Sequence, residues 1–426
     1  MRKLNYTILN PIDLPEPKVF FTDCDSVVQS LFGIAKSELI TKLKILSLLN
    51  NKVVIAASHV LESNLTYETL IDEKLLLQEG VFVPALRSEF REFREYVKKR
   101  RKGLRRFVIG HRPLSSKLMK KADHQLDAKS DFLTENAREV VTWEHTPTAE
   151  EFKAGLVNDL KNPTSLLNRS LNLSDEVLLR LVSKIMPVEK PSRMDIERIV
   201  ASLPSRERLL ILNSSNLHYF LAGSHAVKSD LVAHYDSIGF IKDKAERSFV
   251  LRKCHQLDFG HRETFDAFLD ALDIPQDCIK RLTDEQILGI RRDSITRKFR
   301  EKYRKTLSLV RKGENSQAKE FTQTEYLPIK TEMKQAIENE VEKEIRRDEL
   351  AYQVRKGFRK ASYVSAIVSV LGFVFPLPIP QTATLPMALY EVIDPFISKL
   401  WDSMGNVEFL VFATKIGEPR RVPWRM

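Results

Sequence analysis

Near the start of the chain, short apolar runs alternate with stretches of helical period. Val19 to Phe21 lies between Pro17 and Asp23, and Val53 to Ala57 is a second run rich in β-branched residues. Runs this short, bounded by turn-forming or charged residues, read as buried strands. Between them Leu39, Leu43, Leu46 and Leu49 recur at spacings of four and three, which places them on one face of a helix. A third run, Val81 to Val83, follows a helical stretch that ends at Gly80, the residue type best suited to terminate a helix in the left-handed conformation. The order strand, helix, strand makes residues 18 to about 86 a small parallel α/β unit, because parallel neighbours need a crossover between them. Phe107 to Ile109 and Leu209 to Leu212 are predicted as further strands.

Beyond this unit the pattern turns helical. Thr148 with Glu151 three residues on has the form of a capping box and opens a helical insertion. Thr283 and Gln286 repeat the signature ahead of a long basic helix, and Ile329 to about Val374 has few helix breakers. Val407 to Ala413, β-branched and aromatic, returns the chain to a sheet. The expected fold is therefore an α/β N-terminal unit with a small, mainly parallel sheet, elaborated by a large and mostly α-helical remainder. The expected divisions are 1–135 for the α/β unit with its basic helix, 136–205 for the helical insertion, 206–325 for a mixed region with a second basic helix, and 326–426 for a long helix, an apolar hairpin and a terminal strand. No internal repeat and no Gly/Ser-rich linker separates them.

Composition narrows the class. The chain has 426 residues, of which 43% are hydrophobic and 29% charged, enough apolar content to bury a core and enough length for two or three domains. A net charge of +11 favours polyanionic partners. Cys24, Cys254 and Cys278 form no C-x-x-C pair and are odd in number, so they read as reduced thiols. The first residues carry no continuous apolar core of the kind an export signal needs, and the expected location is cytoplasmic. Residues 361–390 contain no charge, yet Pro376, Pro378, Pro380 and Pro386 leave an apolar helix only from about Ala361 to Phe375, short of the roughly 20 residues that span a bilayer. A buried hairpin, or a contact with a protein partner or a second copy, fits this stretch better than membrane contact.

Candidate chemistry lies at the end of the first strand. In Val19-Phe20-Phe21-Thr22-Asp23-Cys24-Asp25-Ser26-Val27 two carboxylates follow the strand, where open α/β sheets bind ligands, and Glu62 follows the second strand closely enough to share that crevice. Clustered carboxylates suit Mg²⁺ or Mn²⁺, which prefer oxygen ligands. Over residues 18–65 the order strand, Asp, two helical stretches, strand, Glu resembles the PIN-like nuclease family. The resemblance implies catalytic Asp23, Asp25 and Glu62, with Asp23 and Glu62 holding a metal ion that activates water against a phosphodiester. The same Asp23-Cys24-Asp25-Ser26-Val27 also resembles the D-x-D-x-[TV] pattern of haloacid-dehalogenase-like phosphatases, with Ser58 as the phosphate-binding hydroxyl, Asp23 as nucleophile and Asp25 as general acid/base. A plainer alternative covers the same residues: Asp and Ser after a strand commonly cap the next helix.

Two basic stretches are candidates for phosphate contact. Arg87, Arg91, Arg94 and Lys98 fall on one helical stripe, joined by Arg101 and Arg105, and a second group centres on Arg297, Arg300 and Arg304, with Phe299 and Tyr303 spaced to stack on bases. Solvated helix faces with the aromatics turned inward are the alternative. Cys254, His255, Asp258 and His261 are zinc-ligand types without a zinc-finger spacing, and no phosphate loop, dinucleotide fingerprint or serine nucleophile elbow is present. The sequence thus points to a nucleic-acid-associated protein, with a PIN-like nuclease of a bacterial antiviral-defence or mobile-element system as the sharp version. A non-enzymatic interaction protein using residues 361–390 is the alternative.

Overall fold

Residues 5–104, 108–109, 112–113, 116–163, 165–234, 276–311, 317, 320–345 and 409–412 are described by a computed structural model. The apolar run after Pro17 forms strand β2 (Lys18–Phe21), buried along its whole length. It lies near the middle of a seven-stranded sheet whose order is β1 (Thr7–Leu9), β7 (Glu139–Trp143), β4 (Phe82–Arg87), β3 (Lys52–Ala56), β2, β8 (Asp230–His234) and β9 (Phe409–Phe412). Every neighbouring pair is parallel. Val19 is in register with Val53 on one side and Asp230 on the other. Strands covered on both faces need no polar alternation, which is why the inner ones read as continuous apolar runs.

Val108–Ile109 (β5) and Arg112–Pro113 (β6) pair only with each other, antiparallel, so the run expected at Phe107 to Ile109 does not join the main sheet. The expected strand at Leu209 to Leu212 is instead part of a helix, Ser205–Ala226, and Glu139–Trp143 is a strand the sequence pattern did not single out.

The crossover after β2 consists of helices α1 (Ser26–Phe32) and α2 (Lys36–Leu49). Leu39, Leu43, Leu46 and Leu49 are buried as their spacing requires, but ten of the fourteen residues of α2 are buried in all, so the helix is covered on more than its sheet-facing side. The cover comes from helices Gln276–Arg281 and Asp284–Arg292. After β3 come α3 (Ala57–Glu62), α4 (Asn64–Asp72) and α5 (Lys74–Gln78). Gly80, at φ 67°, turns the chain from α5 toward β4, and a Cβ there would also meet the Glu139 carboxylate at 3.1 Å. Next come α6 (Phe93–Leu104) and α7 (Ser116–Asn136).

Between β7 and β8 the chain builds α8 (His145–Lys161), α9 (Leu166–Ser170), α10 (Asp175–Ile185), α11 (Arg193–Val200) and α12 (Ser205–Ala226). These enclose a second hydrophobic core around Phe152, Leu156, Leu181, Ile185, Ile196 and Ile211. The capping box expected at Thr148 is not there: α8 begins earlier, after Glu144, and the Thr148 hydroxyl donates back to the Glu144 carbonyl at 2.6 Å. Helix Asp284–Arg292 does carry the expected box, with Thr283 and Gln286 bonding each other's backbone amides.

Helix Leu327–Ile345 accounts for the start of the long breaker-poor stretch. The remainder of that stretch, the uncharged run 361–390, and Cys254, His255, Asp258 and His261 lie outside the described residues. Among the described residues no helix is long and apolar enough to cross a membrane.

Candidate functional site

The C-terminal end of β2 is where the sheet order reverses, since β3 follows on one side and β8 joins on the other. Asp23 and Asp25 stand there because Thr22 fixes the strand exit: its N–H and hydroxyl both donate to the Val232 carbonyl of β8, at 3.0 and 3.1 Å. The turn is held from the other side by Gln29. Its amide nitrogen donates to the Asp23 carbonyl at 2.9 Å and to Thr66 Oγ1 at 2.7 Å, and Thr66 donates in turn to the Cys24 carbonyl at 2.7 Å. Ser63 donates to Gln29 Oε1 at 2.6 Å, completing a buried polar chain from α1 to α4.

Each carboxylate has a cation of its own. The Asp23 side chain is fully buried, and its Oδ2 lies 2.6 Å from Lys42 Nζ, which also pairs with Glu38 at 2.8 Å. Burial alone pushes the Lys42 ammonium toward neutrality, but Asp23 and Glu38 outweigh it and hold the amine charged. Asp25 Oδ1 accepts the Val27 amide at 2.8 Å and so caps α1, the plainer role foreseen for it. Its Oδ2 receives Arg193 Nη2 at 2.7 Å. His59 Nε2 is 3.0 Å from the same oxygen, but off the hydrogen-bonding direction, and both its ring nitrogens are buried without a hydrogen bond. Burial works against the Asp25 charge, yet the Arg193 guanidinium, with the His59 ring beside the same oxygen, more than offsets it and keeps the carboxyl well below its ordinary range.

Arg193 comes from α11, in the second core, and its guanidinium lies over the rings of Tyr219 and Phe220 at 4.9 and 5.6 Å. It therefore ties the helical unit to the end of the sheet. Cys24, between the two acids, is fully buried, and burial together with the neighbouring Asp23 charge pushes its thiol well up, which leaves it no thiolate character.

Glu62 is turned elsewhere. It accepts the Tyr96 hydroxyl at 2.7 Å and pairs with Arg100 at 3.1 Å, both on α6. Asp23 Oδ1, buried and without a hydrogen-bond partner, is the one oxygen of the three acids that a metal ion would find vacant. The rest of the set does not fit a divalent ion: Lys42 already neutralises Asp23, Asp25 is committed to an amide and a guanidinium, and Glu62 to α6. Among the described residues no three His, Cys, Asp or Glu side chains are placed to hold a metal.

The basic residues divide in the same way. Arg94 pairs with Asp131 at 2.6 Å, and Arg101 with Asp123 at 3.2 Å and with Asp127. An acidic stripe on α7 thus answers the basic one on α6, and Arg87 and Arg91 precede that helix rather than extending its stripe. Arg300 is buried, donating to the carbonyls of Leu48 and Ser47 at 2.7 and 3.0 Å, and Arg291 donates to those of Asn50 and Asn51 at 2.6 and 2.9 Å. Together they satisfy the free carbonyls at the end of α2, a structural role favoured by the helix dipole. Phe299 is fully buried against Tyr326, so it is core and not a stacking platform. Arg105 and the side chains of Tyr303 and Arg304 lie outside the described residues. Arg91, Lys98 and Arg297 remain exposed, as does Lys298.

Lys42, His59 and Arg193 were not anticipated from the sequence. Lys42 had a legible signal, since a lysine inside the apolar helix Leu39 to Leu49 must find a counter-charge once that helix is buried on several sides. Arg193 had none, because it is 168 residues from Asp25.

No protein-family model, curated protein or solved structure matches this chain.

Proposed function

We propose that the protein is nucleic-acid-associated and engages the phosphate backbone through exposed cations that have no carboxylate partner among the described residues. The observation that carries this reading is the set Arg91, Lys98, Arg297 and Lys298, exposed and without a carboxylate partner among the described residues, on a chain of net charge +11. Unpaired surface cations draw a polyanion by releasing its counterions, and they position a backbone without reading bases. The PIN-like reading is supported by the parallel order around β2, with Asp23 and Asp25 at the reversal point. The metal-dependent step it implies lacks a complete ligand set, so the proposal rests on binding.

The test is fluorescence anisotropy with single-stranded and duplex oligonucleotides at about 50 and about 200 mM salt. Affinity is expected to fall steeply with salt. Arg91→Ala with Lys98→Ala, and separately Arg297→Ala with Lys298→Ala, should each lower the salt slope by about 2. Absent or salt-insensitive binding overturns the proposal. A parallel cleavage assay in Mg²⁺ or Mn²⁺ separates binder from nuclease: cleavage present in the wild type and lost in Asp23→Asn would assign hydrolysis to the end of β2.

A further inference from the structure

A second buried charge cluster lies away from β2, where the C-terminal helices meet the α/β unit. Glu73 lies between α4 and α5, Asp284 opens helix Asp284–Arg292, and Lys44 reaches in from α2. All three are buried, Glu73 to 4%, Asp284 to 9% and Lys44 to 5% relative exposure. Lys44 Nζ pairs with Glu73 Oε1 at 3.2 Å and donates to the carbonyls of Lys280 and Leu282 at 2.9 and 2.6 Å. Asp284 Oδ2 accepts the Leu75 amide at 3.0 Å, so the first residue of one helix caps another.

The charge count does not close. Two acids and one ammonium leave one formal negative charge in a largely buried site, which is strongly unfavourable. Two oxygens are also left over: Glu73 Oε2 and Asp284 Oδ1 are buried with no hydrogen-bond donor. A single proton resolves both. Bound to one of these oxygens and donated to the other, it neutralises the excess charge and gives each orphan a partner.

We infer that Glu73 and Asp284 share a proton, and that this proton is what permits helix Asp284–Arg292 to dock on α5 and α2, so the junction loosens as pH rises. The charged groups that act most strongly on Glu73 are Asp284 from the docked helix and Lys44 from α2. Burial is the main cause that raises the Glu73 carboxyl, from its ordinary 4.5 up to about 8, with the Asp284 contact adding to it and Lys44 opposing it. Because the docked state holds the proton more tightly than the undocked one, docking is strongest below the ordinary value and is lost as pH climbs through the raised one.

The experiment is amide hydrogen exchange on the full chain, corrected for intrinsic rates, from about pH 5 to about pH 9 across this window. In the wild type the opening equilibrium of helix Asp284–Arg292 and of the Leu75 amide should rise by up to about tenfold per pH unit, as release of one proton requires. Glu73→Gln carries a permanent neutral donor and should flatten that dependence while keeping protection, and Asp284→Asn should do the same. A flat wild-type profile, or a wild-type slope retained in both variants, overturns the inference.

Discussion

Replacing Lys42 by methionine keeps most of the volume of the side chain and removes its charge. Asp23 then remains fully buried, with Oδ1 already lacking a donor and Oδ2 losing the ammonium at 2.6 Å. Breaking one partner out of a buried ion pair costs about 3–5 kcal/mol, whereas an exposed pair is worth about 0–1 kcal/mol. Lys42→Met should therefore lose about 3–5 kcal/mol in urea unfolding followed by far-UV circular dichroism. Adding Asp23→Asn removes the stranded charge and should restore at least about 2 kcal/mol, a coupling of the size expected for directly interacting residues. A loss below about 1 kcal/mol, or additive effects of the two substitutions, would mean that the pair is not the buried lock described above.

Two further outcomes test the packing of helices α8 to α12. Arg193→Met should cost about 3–5 kcal/mol by leaving the buried Asp25 charge without its guanidinium, read in the same unfolding assay, and a loss below about 1 kcal/mol would refute it. Gly155→Ala would push a Cβ into the His218 ring, which pairs with Asp159 at 2.8 Å, and should lower stability by about 1–3 kcal/mol in the same unfolding assay.

The parallel frame was legible where the chemistry is local. Val19 to Phe21, Val53 to Ala57 and Val81 to Val83 are short, apolar and punctuated, and each became a strand of the sheet. Leu209 to Leu212 misled for a physical reason: four consecutive apolar residues carry no period to separate helix from strand, and inside α12 only Ile211 of the four is buried, in the second core. Asp23 and Asp25 were found because their place after a strand is a property of neighbouring residues. Their partners were not, because Lys42, His59 and Arg193 arrive through tertiary packing, and a distant guanidinium leaves no trace in the spacing around the acid it neutralises. The basic stripe on α6 was legible as charge but not as function, since the answering Asp123, Asp127 and Asp131 belong to the next helix.

What separates a self-neutralised carboxylate pair from an ion-binding one is the occupant of Asp23 Oδ2. Crystals grown with millimolar Mn²⁺ and measured for anomalous scattering identify it directly. Lys42 Nζ is expected within hydrogen-bonding distance of Asp23, Arg193 on Asp25, and no manganese peak at either carboxylate. A manganese ion bridging Asp23 and Asp25, with the lysine swung away, would contradict that arrangement.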